Sequence, residues 1–600
     1  MFIEVIVPGP WWHPLTYEFD ESCIRGIRLI VPVRGLDRVA FATGLSGESP
    51  PSGHFRIQRA KRVLDNTPPL GWELFETAGR LGRHFLCGFG EALKAVAPGK
   101  IISGGEIKAF PEIKAPPAGN FREEFCDAPN FDDRARRYTE LINCGTGRVL
   151  ALFPEKETAC FFWKNLPGDL REQSLCWTSN SGPAAMDNWE RTRSGEVRVV
   201  VGSPAALFAP LPSIEAVIVD DEGNPSYRSR RFPFIHARIA AGSRAQLWGS
   251  RFVLGGGVPS SKSFFRNPRR CPESPGDRMI FVDIGKSRKI MVPGIQSPLP
   301  VSDSALKRTQ AIVAEKKTAL WILDRKGYAG GVTCDECGRI MICGSCGLPV
   351  RWDDSEGLFR CGFCGATRPR TEICPFCGGV SLQGLKAGLE SLQKIGENVL
   401  GENCPVFTWH ADIKQAASSR KAIVKKLSSG GLVVGSRKTL ELCDHMAVDL
   451  VCWLDADSAV NSPFYDARSV AFRMIWESAW RGTGHSERTV LLQSRVPGTG
   501  WQKGLLIGWD HFWRVELDER KELDLPPWRF LLEIKNLGKN KPRARDLAVS
   551  SGLECLDPDP SGDILWVRCE NLSVARKSLE PLFCISESGK GFPRISLWAD

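Results

Sequence analysis

Two groups of residues in this chain are of the right type and spacing to do chemistry. The first is a ladder of C-x-x-C pairs, Cys334/Cys337, Cys343/Cys346, Cys361/Cys364 and Cys374/Cys377, which together hold eight of the 21 cysteines. A C-x-x-C turn aims two thiolates at one ion, and two such turns close a tetrahedral, water-free site of four thiolates, the structural kind. The glycine after most second cysteines eases the turn of amides toward sulfur. Eight such thiolates predict two zinc ions, and spacing alone leaves three ways of pairing the knuckles. The second group is VIVDDEG, an apolar run that ends in Asp220, Asp221 and Glu222, the way a strand delivers carboxylates to a magnesium-nucleotide.

Acids of that kind need a phosphate cradle of the form G-x-x-x-x-G-K-[ST], whose amides and lysine offset the triphosphate charge. The chain has none. CGTGR (Cys144 to Arg148) lacks the lysine. GGVPSSKS (Gly256 to Ser263) has Ser261 where the turn needs glycine, and GSRKT (Gly435 to Thr439) has no glycine before its lysine. Mg·ATP therefore has no expected holder, and ATP is not expected as a cofactor.

The elements that must position these groups read as several domains. The chain has 600 residues, 42% hydrophobic and 25% charged, as soluble globular proteins do. No basic-then-apolar leader opens it and no long apolar run interrupts it, so a cytoplasmic protein without a membrane span is expected. The net charge of +10 permits an anionic partner, and residues 251–290 hold nine Lys or Arg against three Asp or Glu. RIQRAKR, residues 56–62, is a second basic cluster. Strand-like alternation in FIEVIV, IRGIRLIVPV and RVAFATGL, then an amphipathic stretch WELFETAGRLGRHFLCGF, predicts a β-rich domain over residues 1–105. Residues 106–130 read as a linker. Residues 131–275 and 276–495 alternate strands with helices, which predicts two parallel-sheet lobes, the second interrupted by a Cys-rich insertion at 332–380. Residues 496–600 form a last domain, with a helix in HFWRVELDERKELDLPPW.

In this order, VIVPGPWWHPLTYEFDE, the segment around VIVDDEG, the cysteine ladder and ERKELDLPPW make the chain resemble the PriA family of replication-restart helicases over nearly its whole length. The resemblance implies a multidomain α/β fold: an N-terminal DNA-binding domain, two RecA-like lobes with a double zinc-ribbon insertion, and an α+β C-terminal domain. It places Cys334, Cys337, Cys374 and Cys377 on one zinc and Cys343, Cys346, Cys361 and Cys364 on the other. It implies a pocket for the 3′ end of a nascent strand at Tyr17, Glu18 and Phe19, rings that stack on a base and a carboxylate that accepts from it. Tyr17 and Phe19 equally suit the core face of a strand. It further implies single-strand contacts in Tyr227, Arg228, Arg230, Arg231, Phe232, Phe234 and His236, where rings interleave with cations; a buried aromatic cluster is the alternative for the phenylalanines.

The departures from the family pattern fall together on its motor. INCGTGRVLALFPEKETA stands as though the phosphate-cradle unit had been cut out, and the D-E-E-H box reads Asp220, Asp221, Glu222, Gly223. LGGGVPSS replaces a coupling motif, and Trp480 and Thr483 take two arginine positions, with Arg481 one place out of register. The linker is also too short for the family's winged helix. The expectation is a motor-dead protein that binds branched DNA at abandoned forks, acts with primosome and helicase-loading proteins in the nucleoid, and promotes reloading of the replicative helicase. A working 3′-to-5′ helicase with other nucleotide contacts, or a zinc-stabilised interaction scaffold, are the other readings.

Overall fold

The computed structural model describes the chain apart from residues 1, 21–22, 47–56, 114, 116–118, 182, 287–300, 324–331, 335, 338, 340, 346–349, 354–357, 362–365, 385–388, 402–403, 410–416, 458, 461–463, 483, 557–562, 585–591 and 600. Cys346, Cys364 and Thr483 therefore lie outside the described residues. The chain divides into two compact units, one of residues 1–128, 132–262 and 523–600, the other of residues 129–131 and 263–522.

The first unit opens with an antiparallel sheet of β1 (Phe2–Ile6), β2 (Leu15–Glu18), β3 (Arg28–Val33), β4 (Leu36–Ser46) and β5 (Arg62–Val63), in the order β2-β1-β4-β3-β5. The β3–β4 hairpin turns on Arg34 and Gly35 at φ 51° and 79°, two left-handed residues that match the strand twist. The helix Gly71–His84 follows. Its apolar face buries Leu74, Phe75, Ala78 and Leu81, at the period that the sequence shows.

A six-stranded, wholly parallel sheet comes next: β6 (Arg122–Cys126), β7 (Val149–Leu152), β8 (Ser174–Trp177), β9 (Val199–Gly202), β10 (Ala216–Val219) and β11 (Arg251–Gly255), in the order β6-β11-β10-β7-β9-β8. The central strands VLAL, VVVG and AVIV are buried at every residue, as a sheet covered on both faces requires. β6 corrects the expected linker at 106–130, because residues 122–126 pair with β11 and begin this lobe. Its R-E-E-F-C sequence suits an edge strand, where charged side chains reach water.

The second unit holds the other parallel sheet: β12 (Met279–Asp283), β13 (Thr318–Ile322), β19 (Val406–Trp409), β20 (Gly431–Gly435), β21 (Leu450–Trp453) and β22 (Thr489–Ser494), in the order β12-β22-β21-β13-β20-β19. Between β13 and β19 lies the cysteine module, where β14 (Val332–Cys334) pairs with β18 (Leu382–Gly384), and β15 (Val350–Asp353), β16 (Leu358–Cys361) and β17 (Thr367–Pro369) form a small antiparallel sheet. The helix Trp509–Glu522 belongs to this unit, so the second break falls after Glu522 rather than at the expected 495/496. The remaining residues return to the first unit as β23 (Phe530–Lys535), β24 (Glu554–Leu556), β25 (Leu565–Cys569) and β26 (Arg594–Trp598), with the helix Leu572–Leu579.

Candidate functional site

In the first lobe the acids stand where a ligand of a parallel sheet would lie, beyond the carboxyl end of β10. Asp220 is 1% exposed and is not free. Arg134 Nε donates to Asp220 Oδ1 at 2.6 Å and Nη2 to Oδ2 at 3.4 Å, while Nη1 donates to the Ala128 carbonyl at 2.9 Å. Tyr138 adds its hydroxyl to Oδ1 at 2.9 Å. Burial alone would lower the Arg134 guanidinium, but the Asp220 charge outweighs it and holds the group above its ordinary value. Burial and the same carboxylate push Tyr138 well up. Glu222 is treated alike: Arg238 Nη1 donates to its Oε2 at 2.5 Å and the Ser260 amide to its Oε1 at 2.6 Å. Asp221, at φ 45°, accepts from Asn224 Nδ2 at 2.6 Å.

Arg134 and Tyr138 lie on the helix Phe131–Cys144, which directly follows β6. This strand–loop–helix unit meets the acids, and its sequence C-D-A-P-N-F-D-D-R holds neither glycine nor lysine. Asp132 and Asp133 occupy the first turn of the helix, the end whose amides would otherwise attract phosphate. Two carboxylates there stabilise the helix themselves and repel a triphosphate. Packing around Asp220 is tight, since a Cβ added at Gly255 would overlap the Tyr138 hydroxyl.

In the second unit, Trp480 is buried at the end of the helix Ala467–Trp480, and the Arg278 guanidinium lies 4.2 Å over its ring. Arg481 is committed to Asp444 at 2.6 Å and to Glu477 at 2.8 Å. Arg488 is wholly buried and donates to the carbonyls of Val448, Ser478 and Arg481.

The N-terminal pocket residues separate by strand alternation. Tyr17 and Phe19 point into the core of the sheet, 5% and 9% exposed, and Tyr17 donates to the Pro32 carbonyl at 2.9 Å. Glu18 faces solvent between them. Its amide donates to Gln58 and its carbonyl accepts from Ala60, which fixes the backbone and leaves the carboxylate presented. The two rings are therefore core residues here.

Beyond Asp220 the loop divides in the same way. Tyr227 is buried, with its hydroxyl 2.6 Å from the Asp220 carbonyl and 3.0 Å from that of Leu152, so it is an anchor rather than a stacking platform. Arg228 donates to Ser596 Oγ at 2.8 Å and lies 3.5 Å over the Trp598 ring, tying the loop to β26. Arg230 and Arg231 are exposed. Phe232 and Phe234 meet edge to face at 5.6 Å. Burial, then Arg238 and Arg228, depress His236 well below its ordinary value.

The cysteine module brings Cys334, Cys337, Cys374 and Cys377 together, all four sulfurs within 4.8 Å of one another. The Sγ separations Cys334–Cys377 and Cys337–Cys374 are 3.6 and 3.8 Å. A tetrahedron with Zn–S bonds of about 2.3 Å has edges of about 3.8 Å, so the donors fit zinc. Gly378 follows the last cysteine at φ 76°, and its amide donates back to the Cys374 carbonyl at 2.9 Å, a turn that glycine makes without strain. Cys343 and Cys361, of the inner pairs, are buried beside Val332, Met341, Val350 and Phe359.

The chain thus combines an N-terminal antiparallel sheet, two six-stranded parallel sheets and a cluster of four thiolates. Residues 4–98 match the family model of the 3'DNA-binding domain (3'BD). The replication restart protein PriA of Thermotoga maritima is 24% identical over 456 residues, covering 74% of this chain and 61% of that protein. That of Synechocystis sp. is 25% identical over 382 residues, covering 59% of this chain and 45% of that protein. Over these two matches the chain spans about half the length of its relatives. The Treponema pallidum protein is 23% identical over 594 residues, 92% of this chain and 89% of its own length. The chain is thus similar to replication restart PriA proteins over most of its length.

Proposed function

We propose that this protein binds stalled or abandoned replication forks through the free 3′ end of a nascent strand and promotes reloading of the replicative helicase without unwinding DNA by ATP turnover. The observation that carries this reading is one compact unit that joins a domain matching a 3'DNA-binding family to a lobe whose Asp220 is bound by Arg134. Glu18, exposed on the rim of that domain, is the proposed acceptor for the terminal nucleotide. Arg230 and Arg231 supply phosphate contacts, and binding follows branch geometry rather than base sequence. The outer cysteines hold one zinc and Cys343, Cys346, Cys361 and Cys364 a second, in a module that docks primosome and helicase-loading partners. The setting is the bacterial cytoplasm at the nucleoid. Among the described residues no helix is long and apolar enough to cross a membrane.

Fork binding measured by fluorescence anisotropy with free and blocked 3′-hydroxyls tests the reading. Wild type prefers the free end, and Glu18→Ala weakens only that substrate, by about tenfold or more if a charge-assisted hydrogen bond of about 1.5–3 kcal/mol is lost. Equal binding to both forks, or none, refutes it. DNA-stimulated ATP hydrolysis by the zinc-loaded protein at helicase rates would favour the motor reading.

A further inference from the structure

Asp220 is the acid that a metal-nucleotide would need, yet both of its oxygens already face one guanidinium, with Arg134 Nε at 2.6 Å from Oδ1 and Nη2 at 3.4 Å from Oδ2. The pair is buried, with side-chain exposures of 9% for Arg134 and 2% for Asp220. Arg134 is held from behind by the Ala128 carbonyl, and Tyr138 takes a further bond to Oδ1. A hydrated divalent cation needs about six oxygens in octahedral array and keeps several of its waters. It would have to displace a tethered, desolvated cation and leave that cation buried without a partner, which is strongly unfavourable.

We infer that Arg134 serves as the fixed counter-cation of Asp220, so that the lobe neither binds Mg-nucleotide nor uses it to change state, and whatever unit 1 does with DNA it does independently of both. The same clamp anchors the loop that follows. The Tyr227 hydroxyl bonds the Asp220 carbonyl, and Arg228 beside it reaches Ser596 and Trp598. A position that in a motor would be switched by a ligand is here permanently set.

This deepens the proposed function but stands on lobe 1 alone, because it can fail while fork binding holds and hold while fork binding fails. The test uses the full chain, with Mg-mant-ATP fluorescence for nucleotide and the Mn(II) electron-spin resonance of the free ion for metal. Wild type should show no saturable Mg-mant-ATP binding up to millimolar concentration. Arg134→Ala should gain a Mn(II) site that wild type lacks and that the Arg134→Ala/Asp220→Asn double variant loses again. Saturable nucleotide binding to wild type that is lost in Asp220→Asn would overturn the inference, as would a folded Arg134→Ala protein that gains no Mn(II) site. Should Arg134→Ala fail to fold, the wild-type titration with its Asp220→Asn control still decides.

Discussion

Gly255 shows how closely the carboxylate of lobe 1 is packed. Gly255→Ala drives a methyl against the Tyr138 hydroxyl, and we expect a loss of about 1–3 kcal/mol, read as a lower denaturant midpoint. His84 makes a second prediction at this scale. Burial, then the nearby Lys262 charge, lower its pKa from 6.5 to about 4. The unfolded chain therefore takes up a proton between those values that the folded one refuses, and His84 costs stability as pH falls from 6.5 toward 4. Glu91, raised to about 7 by burial, acts in the opposite sense as pH rises, so the measurement is the difference between wild type and His84→Gln in urea at each pH. The stability of wild type minus that of His84→Gln should be smaller at pH 5 than at pH 7.5. The three acids after β10 were legible from an apolar run ending in carboxylates, but Arg134 was not. It lies 86 positions away and carries no motif of its own, and only the fold brings it to Asp220.

The elements were read best where periodicity is strong. Valine-rich runs such as VRVVVGS and EAVIVDD became buried parallel strands, and WELFETAGRLGRHFLCGF became the helix Gly71–His84. β6 escaped because an edge strand that keeps one side in water needs no apolar run, and its charged sequence resembles a linker. Alternation likewise could not decide whether Tyr17 and Phe19 bind a base or fill the core; burial behind the sheet decides for the core. For the cysteine module, C-x-x-C spacing fixed the knuckles, and the fold brought the first and last together. Metal content by mass spectrometry should be two zinc ions per chain in wild type. Cys374→Ser, which removes a ligand from the outer set, should release one of them.

At the scale of the molecule, the N-terminal domain, the first lobe and the C-terminal segment are parts of one unit, whereas the sequence suggested separate modules. Composition cannot reveal contacts between distant segments. Arg244 of the helix Ala237–Trp248, wholly buried, makes a two-point ion pair with Glu73 at 2.9 and 2.9 Å and donates to the Leu207 and Ala209 carbonyls. That helix ends at Gly249, φ 62°, where a Cβ would run into the Gly119 backbone. Glu73→Ala strands a buried guanidinium, and about 3–5 kcal/mol of unit 1 stability should be lost, with hydrogen exchange rising in the N-terminal domain and the first lobe together. If exchange rises in one alone, they are not one cooperative body.

Arg576, close to the end of the chain, donates to the carbonyls of Gly82 and Cys87 at 2.8 and 3.0 Å, and Phe583 stacks on Trp12 at 4.0 Å. Gly82 and Arg576 are 494 positions apart. At synthesis rates of about 5–20 residues per second, the amino-terminal segment waits roughly 25–100 s for the piece that completes it. Until then its Trp12 surface is open to water, and the newborn chain has a long window in which a chaperone, or a neighbour on the same polysome, meets that surface first.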